Sequence, residues 1–143
     1  MVSHIVFCRR FQNLEERERD RVGLVLTKIA NSVGFFITVG LGMTSNGSIL
    51  YTTNISNGGT KGLVTLGIKG NSVKVLFETD TPRPVPHNIA VTGNNKYVYI
   101  THSGGTSTAL SKYSVGGSSG FEPVLMGDVI TVGLNPFGLD FVP

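Results

Sequence analysis

The chain has 143 residues with one cysteine, no tryptophan, 19 glycines and a formal net charge of +3. At 40% hydrophobic and 15% charged it is too apolar for a disordered tail, and no apolar run approaches the roughly 20 residues that cross a bilayer. One cysteine excludes an internal disulfide framework and a multi-cysteine zinc site.

Charge and glycine divide the chain. Residues 1–32 carry six basic and four acidic side chains, whereas 33–143 carry the other six basic and five acidic ones, 18 glycines and all six prolines. Residues 1–21 are therefore expected to be a charged lead-in, helical or disordered. Its Glu15–Arg21 run suits a solvated helix face. Ile5-Val6-Phe7-Cys8 is too short for a signal-peptide core, and its arginines follow it. No motif surrounds Cys8. The body is nearly neutral with scattered lysines, so nucleic acid and membrane are not expected partners.

Two readings stand for 22–36. Val22, Val25, Leu26 and Ile29 are spaced for one helical face. Gly23–Ile29 is also strand-like, and Asn31-Ser32-Val33 repeats Asn71-Ser72-Val73, which makes 22–36 the outer half of a sheet.

The next stretches repeat. Met43–Asn54 lies over Val91–His102 at an offset of 48, with Thr44/Thr92, Asn46/Asn94, Tyr51/Tyr99 and Thr53/Thr101 identical, and Gly62–Ile68 lies over Ala109–Val115 at 47. Asn46-Gly47 between β-prone runs is a strong hairpin signal, and Asn94-Asn95 fills the same role. Strands follow at Leu50–Thr53, Gly62–Ile68, Val73–Phe77, Tyr97–Thr101, Ala109–Val115 and Val124–Thr131, separated by Gly/Asn/Ser turns. A period in the high forties suits a four-stranded propeller blade. The expectation is an all-β partial propeller with blades at 38–77 and 86–131, a half blade at 22–36 and the first strand of a further blade at 137–143.

Leu50-Tyr51-Thr52-Thr53-Asn54 and Val98-Tyr99-Ile100-Thr101-His102 resemble the signature of the YVTN β-propeller repeats. Ile130–Leu139 resembles that family's inter-blade join, and Pro86–Val91 is a variant with Asn88 where the other copy has Gly138. Related propellers include archaeal surface proteins, cytochrome-associated propellers and lactonase-type hydrolases. The resemblance implies a seven-bladed ring, which needs about 340 residues at this period. Two blades and two fragments cannot close. Self-association, or another propeller segment, is the expected partner of the open edges.

Chemistry is sought at the start of the inner strand. Counting outward from the Asn94-Asn95 turn places His87 opposite His102, and Val39 opposite Asn54 in the preceding blade. Arg83, Asn88 and Ser103 are near in sequence. Arg83, His87, Asn88 and His102 are thus the candidate ligand-binding residues, for an anion or as a group that changes charge between about pH 5 and 8. The other reading is a pair at a loop rim, bonded to water or backbone. Two histidines do not complete a metal site, and Asp140 is out of register to help. No cofactor is expected. Gly58–Gly62 lacks the ending of a phosphate loop, and Ser103–Thr106 lacks the setting of a catalytic serine. Tyr51 and Tyr99 read as packing between blades. The expected function is a non-catalytic propeller-type binding or scaffold segment; the alternative is a remnant of a lactonase-type hydrolase acting on sugar lactones.

Overall fold

A computed structural model describes residues 38–55, 60–117 and 119–140, and the expectations for 1–36, for Cys8 and for 141–143 lie outside them. Nine strands follow in chain order: β1 (Thr38–Met43), β2 (Ile49–Asn54), β3 (Leu63–Lys69), β4 (Ser72–Thr79), β5 (Pro86–Val91), β6 (Tyr97–His102), β7 (Ala109–Gly116), β8 (Glu122–Leu125) and β9 (Ile130–Thr131). The first four form one antiparallel meander in the order β1-β2-β3-β4. The others form a second, β5-β6-β7-β8, with β9 also paired to β7. The architecture is an all-β partial propeller of two adjoining blades.

The repeated residues build the same hairpin twice. Thr44 Oγ1 donates to Asn46 Oδ1 at 2.8 Å and accepts from the Ile49 amide at 3.1 Å; Thr92 does the same with Asn94 at 2.8 Å and the Tyr97 amide at 3.0 Å. The left-handed residue of the turn is Gly47 (φ 69°) in the first blade and Asn95 (φ 59°) in the second. Asparagine tolerates that conformation because its short side chain can bond locally. Here it bonds across the blades: Asn95 Oδ1 accepts from the Ser45 amide at 2.9 Å and Nδ2 donates to Ser45 Oγ at 2.8 Å. Glycine could not form that link.

Strand alternation sends one row of each sheet into the gap between blades. Ile49, Tyr51 and Leu63 of the first sheet meet Ile89, Val91, Val98, Ile100 and Tyr113 of the second, with Leu76 and Val115 at the margin. The opposite face of the first sheet buries Leu50, Val64 and Leu66 with Leu41, Met43 and Ile68 around them. Shifted by the repeat, Leu41, Met43, Leu50, Leu66 and Ile68 are the counterparts of Ile89, Val91, Val98, Tyr113 and Val115. The second blade thus presents this face to the first, and the first carries the corresponding residues on its own opposite face.

Three sequence expectations need correction. The strand at Val124–Thr131 is broken into β8 and β9, because Gly127 turns left-handed (φ 63°) between them. Residues 137–140 have no strand pairing, since a strand needs a neighbour to bond to. The third correction concerns register. Leu41↔Thr52 and Ile89↔Ile100 follow the hairpin count, but a bulge then intervenes, and the next pairs are Thr38↔Asn54 and Pro86↔His102. The slip recurs at the repeat offset in both blades. One extra residue on the inner strand puts Pro86, not His87, opposite His102.

Candidate functional site

The bulge separates the candidate residues. His102, on β6, is fully buried, and its Nε2 lies 2.8 Å from Ser111 Oγ, itself fully buried on β7. His87 is half-buried and meets Phe137 edge to face with ring centroids 4.6 Å apart. Asn88 turns its Oδ1 back on the Ile89 amide at 2.8 Å, and Arg83 is exposed. The histidines have different partners and do not converge. Among the described residues no group of three His, Cys, Asp or Glu side chains is placed to hold a metal.

A serine hydroxyl on an imidazole nitrogen has the geometry of an activated nucleophile. Both groups here are sealed from solvent, so the pair links two strands. Ser111 was not legible as His102's partner, because the contact runs diagonally between β6 and β7, where Ile100, not His102, lies opposite Ser111.

Burial lowers the His102 pKa; the nearby Arg83 charge lowers it further, while backbone groups of Pro84 and Arg83 partly offset the fall. Burial also lowers His87, offset by the Phe137 backbone. A depressed histidine folds neutral, so this stability is complete above the unfolded value of about 6.5 and is lost as pH falls below it. We expect thermal stability to fall between about pH 6.5 and 5, and His102→Gln to flatten that slope. Calorimetry across this range measures it; an unchanged slope in the variant would exclude His102 as its source.

Beside the bulge lies a better-connected cluster. Thr53 Oγ1 accepts from the Gly40 amide at 2.8 Å and donates to the His87 carbonyl at 2.7 Å. One hydroxyl therefore closes the bulge of its own blade and ties it to the inner strand of the next. Thr53→Val leaves a buried amide and a carbonyl without their partner and should cost about 2 kcal/mol, with most recovered in Thr53→Ser. Urea unfolding of the two variants reads the difference.

In the second blade the counterpart differs. Thr101 Oγ1 accepts from the Asn88 amide at 3.0 Å, but its own donation is a long 3.5 Å contact to the carbonyl of the same Asn88. Around it, the outward face of the second sheet repeats the inward face of the first: Tyr97, Tyr99 and Leu110 correspond to Ile49, Tyr51 and Leu63. The first set is half-buried; the second is at most 4% exposed. Lys112 lies over the Tyr97 ring, 4.2 Å from its centroid. Val124 and Ile130, on the same face by register, are 47% and 44% exposed. This face is built like a blade interface and is uncovered.

No protein-family model matches the sequence, and no curated protein matches it. Solved structures do. The hydrazine synthase of Kuenenia stuttgartiensis superposes with a TM-score of 0.53 at 17% identity, over 68% of this chain and 24% of that one. A protein from Lactobacillus plantarum superposes with a TM-score of 0.53 at 16% identity, over 66% of this chain and 26% of that one. At such identities the likeness is one of fold. The chain spans about a quarter of the length of these structures.

Proposed function

We propose that this chain is a YVTN-like propeller segment that binds or scaffolds without chemistry of its own, and that another propeller segment completes it. The carrying observation is the unequal burial of one repeated face, closed at Ile49, Tyr51 and Leu63 and open at Tyr97, Tyr99 and Leu110. An uncovered row of this kind is sticky: exposed apolar patches mark contact surfaces. The isolated chain is therefore expected to self-associate through this open face.

Sedimentation equilibrium tests this. Mass should exceed the 15.2 kDa of one chain and rise with concentration, and Leu110→Glu should return it toward one chain. A well-folded species of 15.2 kDa at every concentration would overturn the reading.

A further inference from the structure

The outer face of the first sheet, turned away from the second, carries Leu50 on β2 with Val64 and Leu66 on β3, each at most 3% exposed. The residues packed around them, Leu41, Met43, Ile68, Val73 and Val75, belong to the same sheet. Neighbours within a sheet shield a side chain from the side and leave its outward end open. The uncovered face of the second sheet shows the result, for its central-strand residues Tyr97, Tyr99 and Leu110 are half-buried. The outer face of the first sheet is therefore covered, and among the described residues no strand lies across it.

The burial profile gives the width of the cover. Where a blade does the covering, the innermost strand is sealed as well, with Ile89 at 4% and Val91 at 8% exposure. Their repeat counterparts Leu41 and Met43 are only half-buried, and so are Val73 and Val75 on β4. Apolar burial is complete on β2 and β3 alone. A single helix, about 10–12 Å across, matches two strands about 4.8 Å apart and leaves both flanks open. The outer half of a preceding blade would instead lie over β3 and β4 and leave Leu50, on β2, open.

Residues 1–37 are the long stretch outside the described residues; the others have four residues or fewer. Asp20, a good N-cap residue, precedes Val22, Val25, Leu26, Ile29 and Val33, spaced for one helical face, and Gly34 follows. A helix over 21–33 would rise about 20 Å, the length of a strand such as β2. Residues 34–37 span at most about 14 Å before β1 starts at Thr38, which keeps the segment beside the first sheet.

We propose that residues 21–33 form a helix along β2 and β3 on the outer face of the first blade, seating Val25, Leu26 and Ile29 on Leu50, Val64 and Leu66. The segment is then a cap and not a half blade, the device by which a stacked repeat closes an apolar end. The first blade is shut to a neighbouring propeller segment. A partner blade is received only on the open face of the second sheet.

Leu24 and Leu26 separate the two geometries. In a helix they stand about 160° apart, so Leu26 meets the sheet and Leu24 points away; in a strand they share one face. Urea unfolding of the full chain reads the contrast. Leu26→Asp should lower the folding constant at least about 30-fold, because it sets a charge against a closed apolar face, and Leu24→Asp less than about threefold. A loss at Leu24 as large as at Leu26, or small losses at both, would overturn the proposal. If Leu26→Asp does not fold, methyl NOEs in the unmodified chain decide. Leu26 and Ile29 methyls should contact those of Leu50 and Leu66, and their absence from these contacts would overturn it. The inference goes beyond the propeller-segment reading: a single-chain mass at every concentration would defeat that reading and leave the leucine contrast standing.

Discussion

Gly40→Ala should destabilise the protein by about 3 kcal/mol, more than most single-methyl changes. The new Cβ would meet the His87 carbonyl oxygen, Thr53 Oγ1 at 3.0 Å and the Asn88 Cα at 3.1 Å. Two of these are backbone atoms held in the second sheet, so no side-chain rotation relieves the overlap; the blades must part. Parting them also stretches the bond from Thr53 to His87. Gly93→Ala is the matched control: its Cβ would meet nothing within 4 Å, and its φ is not left-handed. There the lost freedom of the unfolded chain should leave stability unchanged or raised by a few tenths of a kcal/mol. Urea midpoints of the two variants measure the contrast, and equal midpoints would refute the close approach of the blades at Gly40.

Tyr51→Ala should cost about 3–5 kcal/mol, whereas Tyr99→Ala, at the equivalent repeat position, should cost about 1. The chemistry removed is identical, and only the neighbouring blade differs. Tyr51 is fully buried between the sheets, and its hydroxyl donates to the Phe121 carbonyl at 3.1 Å. Tyr99 stands half-buried on the open face, with Lys112 5.7 Å from its ring centroid. Burial accounts for the difference, because truncation in a closed core leaves a cavity and truncation at a surface does not. Alkaline titration gives an independent view. Burial pushes the Tyr51 and Tyr113 pKa values up to about 12. Groups raised in this way stabilise the fold fully below the unfolded value of about 10, and that contribution fades as pH rises toward 12. Absorbance at the phenolate band should show these two tyrosines ionising last, together with unfolding.

Much of the fold was legible because the repeat preserves residues that act locally. Thr44 and Thr92 cap their own turns with Asn46 and Asn94, and such contacts within five residues leave an imprint on any single copy. The β-branched and aromatic runs of β2 and β6 are local signals of the same kind. The bulges left no such imprint. A hairpin count assumes one residue opposite one, and the extra residue between Thr38 and Leu41, or Pro86 and Ile89, is seen only when both strands are in place. That single slip dissolved the expected His87–His102 pair and sent the two rings to Phe137 and Ser111. The division at Gly127 was hidden for a related reason, since a glycine within an apolar run reads equally as strand or turn.

By itself, then, the order of residues determined the hairpins, the four-strand unit and its duplication, because turn chemistry and side-chain alternation act over a few positions. Tertiary structure alone decided which copy of each repeated residue is buried. Thr53 and Thr101 are identical, as are Tyr51 and Tyr99, and no local signal separates them. The difference comes from a second sheet arriving 34 residues downstream to meet Thr53 at His87, while Thr101 turns its hydroxyl back on the carbonyl of Asn88 in its own blade. Burial belongs to pairs of surfaces, and only the folded chain shows which surfaces meet.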